Sequence, residues 1–239
     1  MTYSHSQKTS VQKTISLSDS VKEDSQRNRF DEQLFEMNRD LIEMGAMCEE
    51  AIASAVKALT KNDKELAENV KKTGGLIDQM ERDIESRCMK LLLHQQPVAR
   101  DLRAISAALK MITDMERIGD QAEDIAAMVL YTADHNMEDF DIIEEMAKET
   151  VKMVTDSVDA FVKKDVELAQ DVIKRDDIVD NYFSKVKYDI IKLIAENRTD
   201  GELALDLLMI SKYFERIGDH ATNIAEWVIY SVTGTHKEA

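Results

Sequence analysis

One short motif occurs twice in this sequence and carries the acidic side chains that bear most directly on chemistry. It reads Glu-Arg-Ile-Gly-Asp, at residues 116–120 and again at residues 215–219. Each copy extends by one more polar residue, so that oxygen-bearing side chains recur at i, i+4 and i+8 and share one face of a helix. The predicted rows are Glu116, Asp120 and Asp124 in the first copy, and Glu215, Asp219 and Asn223 in the second.

Such rows of oxygen side chains are suited to hard cations, and Mg²⁺, Mn²⁺ and iron all accept them. Like charges at i, i+4 cost a helix roughly 0.2–0.5 kcal/mol per pair unless a cation lies between them. The alternative is a solvated acidic face in which Arg117 and Arg216 form the ion pairs. The copies differ nearby, where Thr113 aligns with Lys212, yet the motif is identical in both, and this favours metal binding.

Two other acidic segments are expected to complete these sites. Asp78 and Glu81 share a helical face, and further along the chain Asp176 and Asp180 do the same. Asp78 and Asp180 correspond at an offset of 102 residues, the spacing of a second internal repeat. We therefore predict that the preceding helix of each unit faces the motif helix and adds carboxylates to it.

Two residue types within the motif have open interpretations. Gly119 and Gly218 lie inside predicted helices, where glycine costs about 1 kcal/mol relative to alanine. Either a neighbouring helix or a ligand approaches closely there. His220 follows the second motif, but Gln121 takes its place in the first, so we expect a supporting or surface position for His220 and not a metal ligand.

The elements that position these residues are helices. One proline and seven glycines in 239 residues are too few for a turn-rich sheet protein, and apolar residues recur at spacings of three and four. Leu109–Tyr131 matches Leu208–Tyr230 at an offset of 99, with 11 of 23 positions identical. We predict an all-α fold of two tandem antiparallel three-helix bundles, with Asp63 capping the second helix and Pro97 opening the third.

The chain divides into three predicted parts. Residues 1–29 are rich in Ser and Thr without apolar periodicity, and we expect a disordered tail. Residues 30–135 form the first bundle and residues 136–239 the second.

Charge and composition exclude several classes of function. The formal net charge of −16 disfavours general binding to nucleic acid or to anionic lipid. No segment reaches the length of a membrane span, and Cys48 and Cys88 lie among apolar neighbours, as buried thiols do in a reducing compartment. We expect a cytoplasmic protein that reaches a membrane only through partners.

At these motifs the sequence resembles the PhoU family of phosphate-transport regulatory proteins, over residues 30–234. The resemblance includes Gln-Gln-Pro-Val-Ala-Arg-Asp-Leu-Arg at 95–103 and both copies of the repeated motif. It implies multinuclear metal on the bundle surface, with iron first and Mg²⁺, Mn²⁺ or Zn²⁺ as alternatives. It also implies a non-enzymatic negative regulator that contacts a PstB-like transporter ATPase and a PhoR-like sensor kinase, and we expect a homodimer.

One departure from the family pattern concerns the first unit, where Gly74-Gly75 aligns with Asp176-Asp177. The first metal site is therefore expected to lack a carboxylate. Two other functions remain open on the residues alone: a metal store or metalloenzyme, against which stands the absence of any Glu-x-x-His pair, and a structural bundle with solvated acidic rows.

Overall fold

The computed structural model describes the backbone of residues 4–94, 97–129, 141–196 and 201–235, with side chains from Arg27 onward in those ranges, His94 excepted. These segments form six helices: α1 (Ser4–Lys61), α2 (Lys64–His94), α3 (Ala99–Ala127), α4 (Asp141–Lys163), α5 (Val166–Ala195) and α6 (Gly201–Thr233). The all-α prediction is confirmed. None of the helices, over the part of the chain described, has the length and apolar character needed to cross a membrane.

The helices pack as the internal repeat predicts. α1, α2 and α3 contact one another, and α4, α5 and α6 form an equivalent group. α3 packs against α6 and α1 against α4, which joins the two bundles along their length. The prediction of two tandem three-helix bundles is confirmed, and their buried apolar side chains form one continuous core.

The first turn of each unit is built in the same way. The Asp63 carboxylate accepts a hydrogen bond from the backbone N–H three residues ahead at 3.0 Å, as predicted for the N-cap of α2. Asp165 does the same for α5, also at 3.0 Å. The preceding residues, Asn62 and Lys164, both have positive φ, at 52° and 55°. The two hairpins therefore reverse direction through matched left-handed residues followed by capping aspartates.

The N-terminal segment differs from the sequence prediction. α1 begins at Ser4 and passes position 30 without interruption, where a disordered tail over residues 1–29 was expected. The first glycine is Gly45 and no proline precedes it, so nothing before that point breaks the helix. Ser and Thr are poor but tolerated helix residues, so a helical backbone is compatible with this composition. The division of the chain at residue 30 stays a prediction.

The start of α3 also differs by two residues from the prediction. Its first helical residue is Ala99, with Val98 in extended conformation as the N-cap, so Pro97 precedes the helix instead of opening it. α3 ends at Ala127. The predicted end near Tyr131 and the predicted domain boundary at residues 135 and 136 lie outside the described residues.

A polar contact joins the two bundles where α3 and α6 run antiparallel. His220 Nδ1 lies 2.9 Å from Asp114 Oδ1, and the Asn223 amide donates to the same oxygen at 3.1 Å. His220 therefore faces the other bundle, as expected of a supporting residue.

Gly45 and Gly75 provide a test of how closely α1 and α4 pack. A Cβ on Gly45 would lie 2.9 Å from Val158 Cγ2, whereas a Cβ on Gly75 would meet nothing within 4 Å. Both substitutions to alanine gain helix propensity, about 1 kcal/mol, but only Gly45→Ala must displace a stiff β-branched side chain. We expect Gly75→Ala to raise the free energy of unfolding. The free energy of unfolding of Gly45→Ala should be at least about 1 kcal/mol lower than that of Gly75→Ala, as measured by urea denaturation. Equal effects of the two would contradict the close approach.

Candidate metal site

Three carboxylates from α2 and α3 meet on the surface of the first bundle. Asp78, Glu116 and Asp120 each offer an oxygen, and these oxygens all lie within 4.8 Å of one another. We call this group the first carboxylate site. All three side chains were predicted as ligands from the sequence, and the structure brings them together.

A glycine explains why α2 can bring its carboxylate so near to α3. A Cβ on Gly119 would lie 3.0 Å from Ile77 Cδ1, a contact closer than packed side chains normally allow. Ile77 is buried in the core and is followed directly by Asp78. Of the two interpretations left open for this glycine, the structure shows close helix packing, and the same packing carries Asp78 to the motif.

The surroundings of the first carboxylate site disfavour the ionised form of its carboxylates. Burial raises the pKa of Glu116, and the charge of Asp120 raises it further, opposed by Arg117. A raised pKa means that the folded protein disfavours the ionised form. A bound cation would remove this penalty, and three close oxygen donors are the ligand type that Mg²⁺, Mn²⁺ and iron accept. The residues therefore fit a hard metal ion.

Arg117 balances part of this charge from within the chain. Its Nη1 lies 2.9 Å from Asp120 Oδ2 and its Nε 3.3 Å from Glu116 Oε2. These are the pairs expected of a solvated acidic face, and the guanidinium side chain is half exposed. Exposed pairs of this kind contribute about 0–1 kcal/mol, so they leave most of the repulsion in place.

Two further predicted ligands of the first unit lie at the margins of the site. Glu81 accepts a hydrogen bond from Thr113 at 3.4 Å, and its charge is among those that raise the pKa of Glu116. Asp124 lies toward the second bundle: burial and then Asp120 raise its pKa, while Arg216 of α6 lowers it. Asp124 thus belongs to the contact between bundles as much as to the row.

The second unit holds four of the predicted ligands, Asp176, Asp180, Glu215 and Asp219, which we call the second carboxylate site. Burial raises the pKa of Asp176 to about 6, and the charges of Asp219, Asp180 and Glu215 act in the same direction. Burial and then Glu215 raise the pKa of Asp219, against the opposing charge of Lys212. The charges of these carboxylates therefore act on one another. The three-oxygen spacing within 4.8 Å is found, among the described side chains, only in the first site.

The second carboxylate site contains a positively charged side chain, that of Lys212. The Lys212 ammonium donates a hydrogen bond to Glu215 and lies 5.5 Å from the ring centroid of Phe183. In the first unit Lys212 aligns with Thr113 and Phe183 aligns with Glu81, so the lysine has no counterpart there. The tenth predicted ligand, Asn223, donates to Asp114 of the first bundle and lies between the bundles.

One acidic residue near the first site was not predicted from the sequence. Glu123 projects from α3 over Gly74 of α2, where a Cβ would fall 1.7 Å from Glu123 Oε1. The signal was present in the repeat, because Gly74 aligns with Asp176 and Glu123 aligns with Thr222. Recognising it required knowledge of which face of α2 meets α3.

The raised pKa of Asp176 predicts a pH dependence of stability in metal-free protein. Between its ordinary value of 3.8 and about 6, the folded state holds a proton that the unfolded state has lost, so stability falls as pH rises through this range. Asp176→Asn should make this fall smaller, leaving the part that comes from other carboxyls with a raised pKa such as Asp219. It should exceed the wild type at pH 7.5 by about 1 kcal/mol, since the half-exposed side chain is partly screened. Urea denaturation in chelator at pH 4.5 and 7.5 measures it.

The control is Asp177→Asn, which changes the exposed neighbouring carboxylate. Because Asp177 is the smallest of the charges that raise the pKa of Asp176, this variant should keep most of the fall. An Asp176→Asn profile that falls between pH 4 and 6 as steeply as that of the wild type would contradict the assignment of this ionisation.

Comparison with known proteins agrees with the arrangement of helices and motifs. A family model described as the PhoU domain matches residues 41–129 and 143–228. A phosphate-specific transport system accessory protein PhoU homolog of Clostridium acetobutylicum is 37% identical over 214 residues, covering 87% of this chain and 96% of the relative. The homolog of Pseudomonas aeruginosa is 34% identical, covering 87% and 86%.

Solved structures show the same similarity. The crystal structure of PhoU from Pseudomonas aeruginosa superposes with a TM-score of 0.82 at 34% identity, covering 86% of this chain and 100% of that one. A phosphate transport system regulatory protein PhoU from Streptococcus pneumoniae gives 0.81 at 28% identity, covering 88% and 100%. With two matching domains and relatives above 30% identity over most of its length, this chain belongs to the PhoU family.

Proposed function

We propose that this chain is an accessory protein of phosphate transport that negatively regulates phosphate uptake and phosphate-starvation signalling. It acts without catalysing a reaction, as an adaptor between the ATPase of a phosphate transporter and a sensor histidine kinase. It carries metal on its surface carboxylate sites. The observation that carries the metal part is the approach of Asp78, Glu116 and Asp120 to within 4.8 Å.

The regulatory part of the proposal is supported by the relatives. The homologs of Clostridium acetobutylicum and Pseudomonas aeruginosa are both named as accessory proteins of the phosphate-specific transport system. The matched region includes both bundles and both acidic motifs. A strongly acidic surface, with a net charge of −16, suits partners that present basic patches or cations.

The metal part is supported by the chemistry of the donors. The residues that would hold an ion in the first unit are Asp78, Glu116 and Asp120, with Glu81 at the edge. When bound, a hard cation supplies positive charge to a surface that is otherwise repulsive to itself. The carboxylates bind and position it because α2 and α3 hold them in place, so little ordering is required on binding. Iron is the first expectation, with Mn²⁺, Mg²⁺ or Zn²⁺ as alternatives.

Substitution of Asp78 tests the metal site with the least disturbance. Asp78→Asn keeps the side-chain shape but removes one negatively charged donor, and we expect metal affinity to fall at least about tenfold. Elemental analysis of protein purified without chelator measures the metal retained. Asp83→Asn on the same helix is the control, because that exposed carboxylate pairs with Gln79 instead. Equal metal content in the two variants would contradict the site.

Association with partners tests the regulatory role separately. The wild-type chain, used as bait, should retain the phosphate transporter ATPase or the sensor kinase, and Asp78→Asn should retain less if metal supports the contact. The measurement is a pull-down with purified ATPase and purified kinase, with and without added Mn²⁺. No association with either protein under either condition would overturn the adaptor proposal. Sedimentation of the free chain tests the expected homodimer.

A further inference from the structure

Each unit has one carboxylate that is missing at the equivalent position of the other unit, and the two carboxylates lie on different helices. At the offset of 102, Gly74 of α2 aligns with Asp176 of α5, and at the offset of 99, Glu123 of α3 aligns with Thr222 of α6. The acid is thus on the second helix in one unit and on the third helix in the other. Read from the sequence alone, the glycine indicated a missing ligand.

In the structure, Glu123 fills the space that the glycine leaves. A Cβ on Gly74 would lie only 1.7 Å from Glu123 Oε1 and 2.6 Å from its Cδ, so a side chain at position 74 would require the Glu123 carboxylate to leave its present place. In the second unit the carboxylate extends in the opposite direction, from the second helix toward the third. Asp176 extends from α5 toward α6, where its Oδ1 lies 3.3 Å from the Cβ position of Gly218. Both carboxylates therefore occupy the groove between the two helices that build the site.

The surroundings of the two carboxylates correspond as well. After burial, the charges that most raise the pKa of Glu123 are those of Asp120 and Asp78. After burial, those that most raise the pKa of Asp176 are Asp219 and Asp180, which are the repeat equivalents of the same two residues. Apart from burial, the pKa of each acid is thus raised most by the charges of the same equivalent pair of carboxylates. Lys71 is the opposing charge that lowers the pKa of Glu123.

We propose that Glu123 is a ligand of the first carboxylate site and takes the place that Asp176 has in the second. The carboxylate lies on the third helix of the first unit, whereas it lies on the second helix of the second unit. Gly74 leaves open the space that the Glu123 carboxylate occupies. The first site is then complete, with Asp78, Glu116, Asp120 and Glu123 as its carboxylates. This inference rests on the proposed metal function and adds a residue to it.

A swap of the second unit's residues into the first tests the proposal. The variants are Glu123→Thr, Gly74→Asp and the double variant, with Glu68→Gln as a control at an exposed glutamate of α2. The probe is Mn²⁺ alone, titrated calorimetrically into chelator-stripped protein. Glu123→Thr should weaken Mn²⁺ binding at the first site about tenfold, and the double variant should restore it to within about threefold of the wild type.

The outcomes separate this inference from the function on which it rests. If Glu123→Thr binds Mn²⁺ like the wild type while Asp120→Asn does not, the ligand role of Glu123 is overturned and the metal site stands. A double variant no better than Glu123→Thr also overturns it. If the wild type itself binds no Mn²⁺, the metal function and this inference fail together.

Stability without metal gives a readout that a packing role for Glu123 would not produce. In chelator, Glu123→Gln removes a negative charge from a repulsive group without changing its shape, and Tm should rise by about 2 °C. Gly74→Asp should lower Tm, because two carboxylates compete for one volume, and the added Glu123→Thr should recover it. A fall in Tm with Glu123→Gln, or no recovery in the double variant, would overturn the shared position.

Discussion

The close approach of paired helices at two glycines is the constraint on which the acidic sites depend. Gly119 lets α2 settle against α3, and Gly218 lets α5 settle against α6, with the Val179 side chain 3.4 Å from the missing Cβ. A methyl group at position 119 would require Ile77, which precedes Asp78, to move by a few tenths of an ångström, whereas the contact at Gly218 is less tight. A mid-helix glycine costs about 1 kcal/mol, and here the cost is linked to the spacing between helices. Core packing and site geometry are therefore one feature of the molecule.

That spacing concentrates negative charge that the chain only partly balances. Arg117 pairs with Asp120 in the first unit, and Lys212 pairs with Glu215 in the second. The two cations differ in kind, because a guanidinium spreads its charge over a planar fork and an ammonium is a point charge. Both side chains are partly exposed. The two sites share a plan, but they do not present the same charge.

The sequence predicted the fold well because its signals were local and repeated. The scarcity of Gly and Pro, the three-and-four spacing and the capping aspartate at Asp63 each depend on residues close together in the chain. In the N-terminal segment two local signals disagree: the Ser/Thr content predicts a tail, whereas no helix breaker precedes Gly45 and the backbone from Ser4 is helical.

The site was only partly predictable, for a related reason. Asp78, Glu116 and Asp120 were found because an internal repeat preserved them at matching positions. Glu123 was missed because its role depends on which side chain of α3 faces Gly74, a relation between two helices that spacing along either one does not give. Asn223 has a further contact that spacing does not give: it lies at i+4 from Asp219, and its amide nitrogen donates a hydrogen bond to Asp114 in the other bundle.

The contact between α3 and α6 has different residue pairs at its two ends, which is possible because both repeats lie in one chain. Asp114 meets Asn223 at one end, and the repeat-equivalent pair at the other end is Tyr213 with Asp124, where burial and then the Asp124 charge raise the tyrosine pKa. In a dimer of identical subunits the two ends would be the same by symmetry. Two copies of the first half would set Asp114 against Asp124, carboxylate against carboxylate. The halves have thus diverged into complementary partners at this contact, because two copies of the first half would repel each other there.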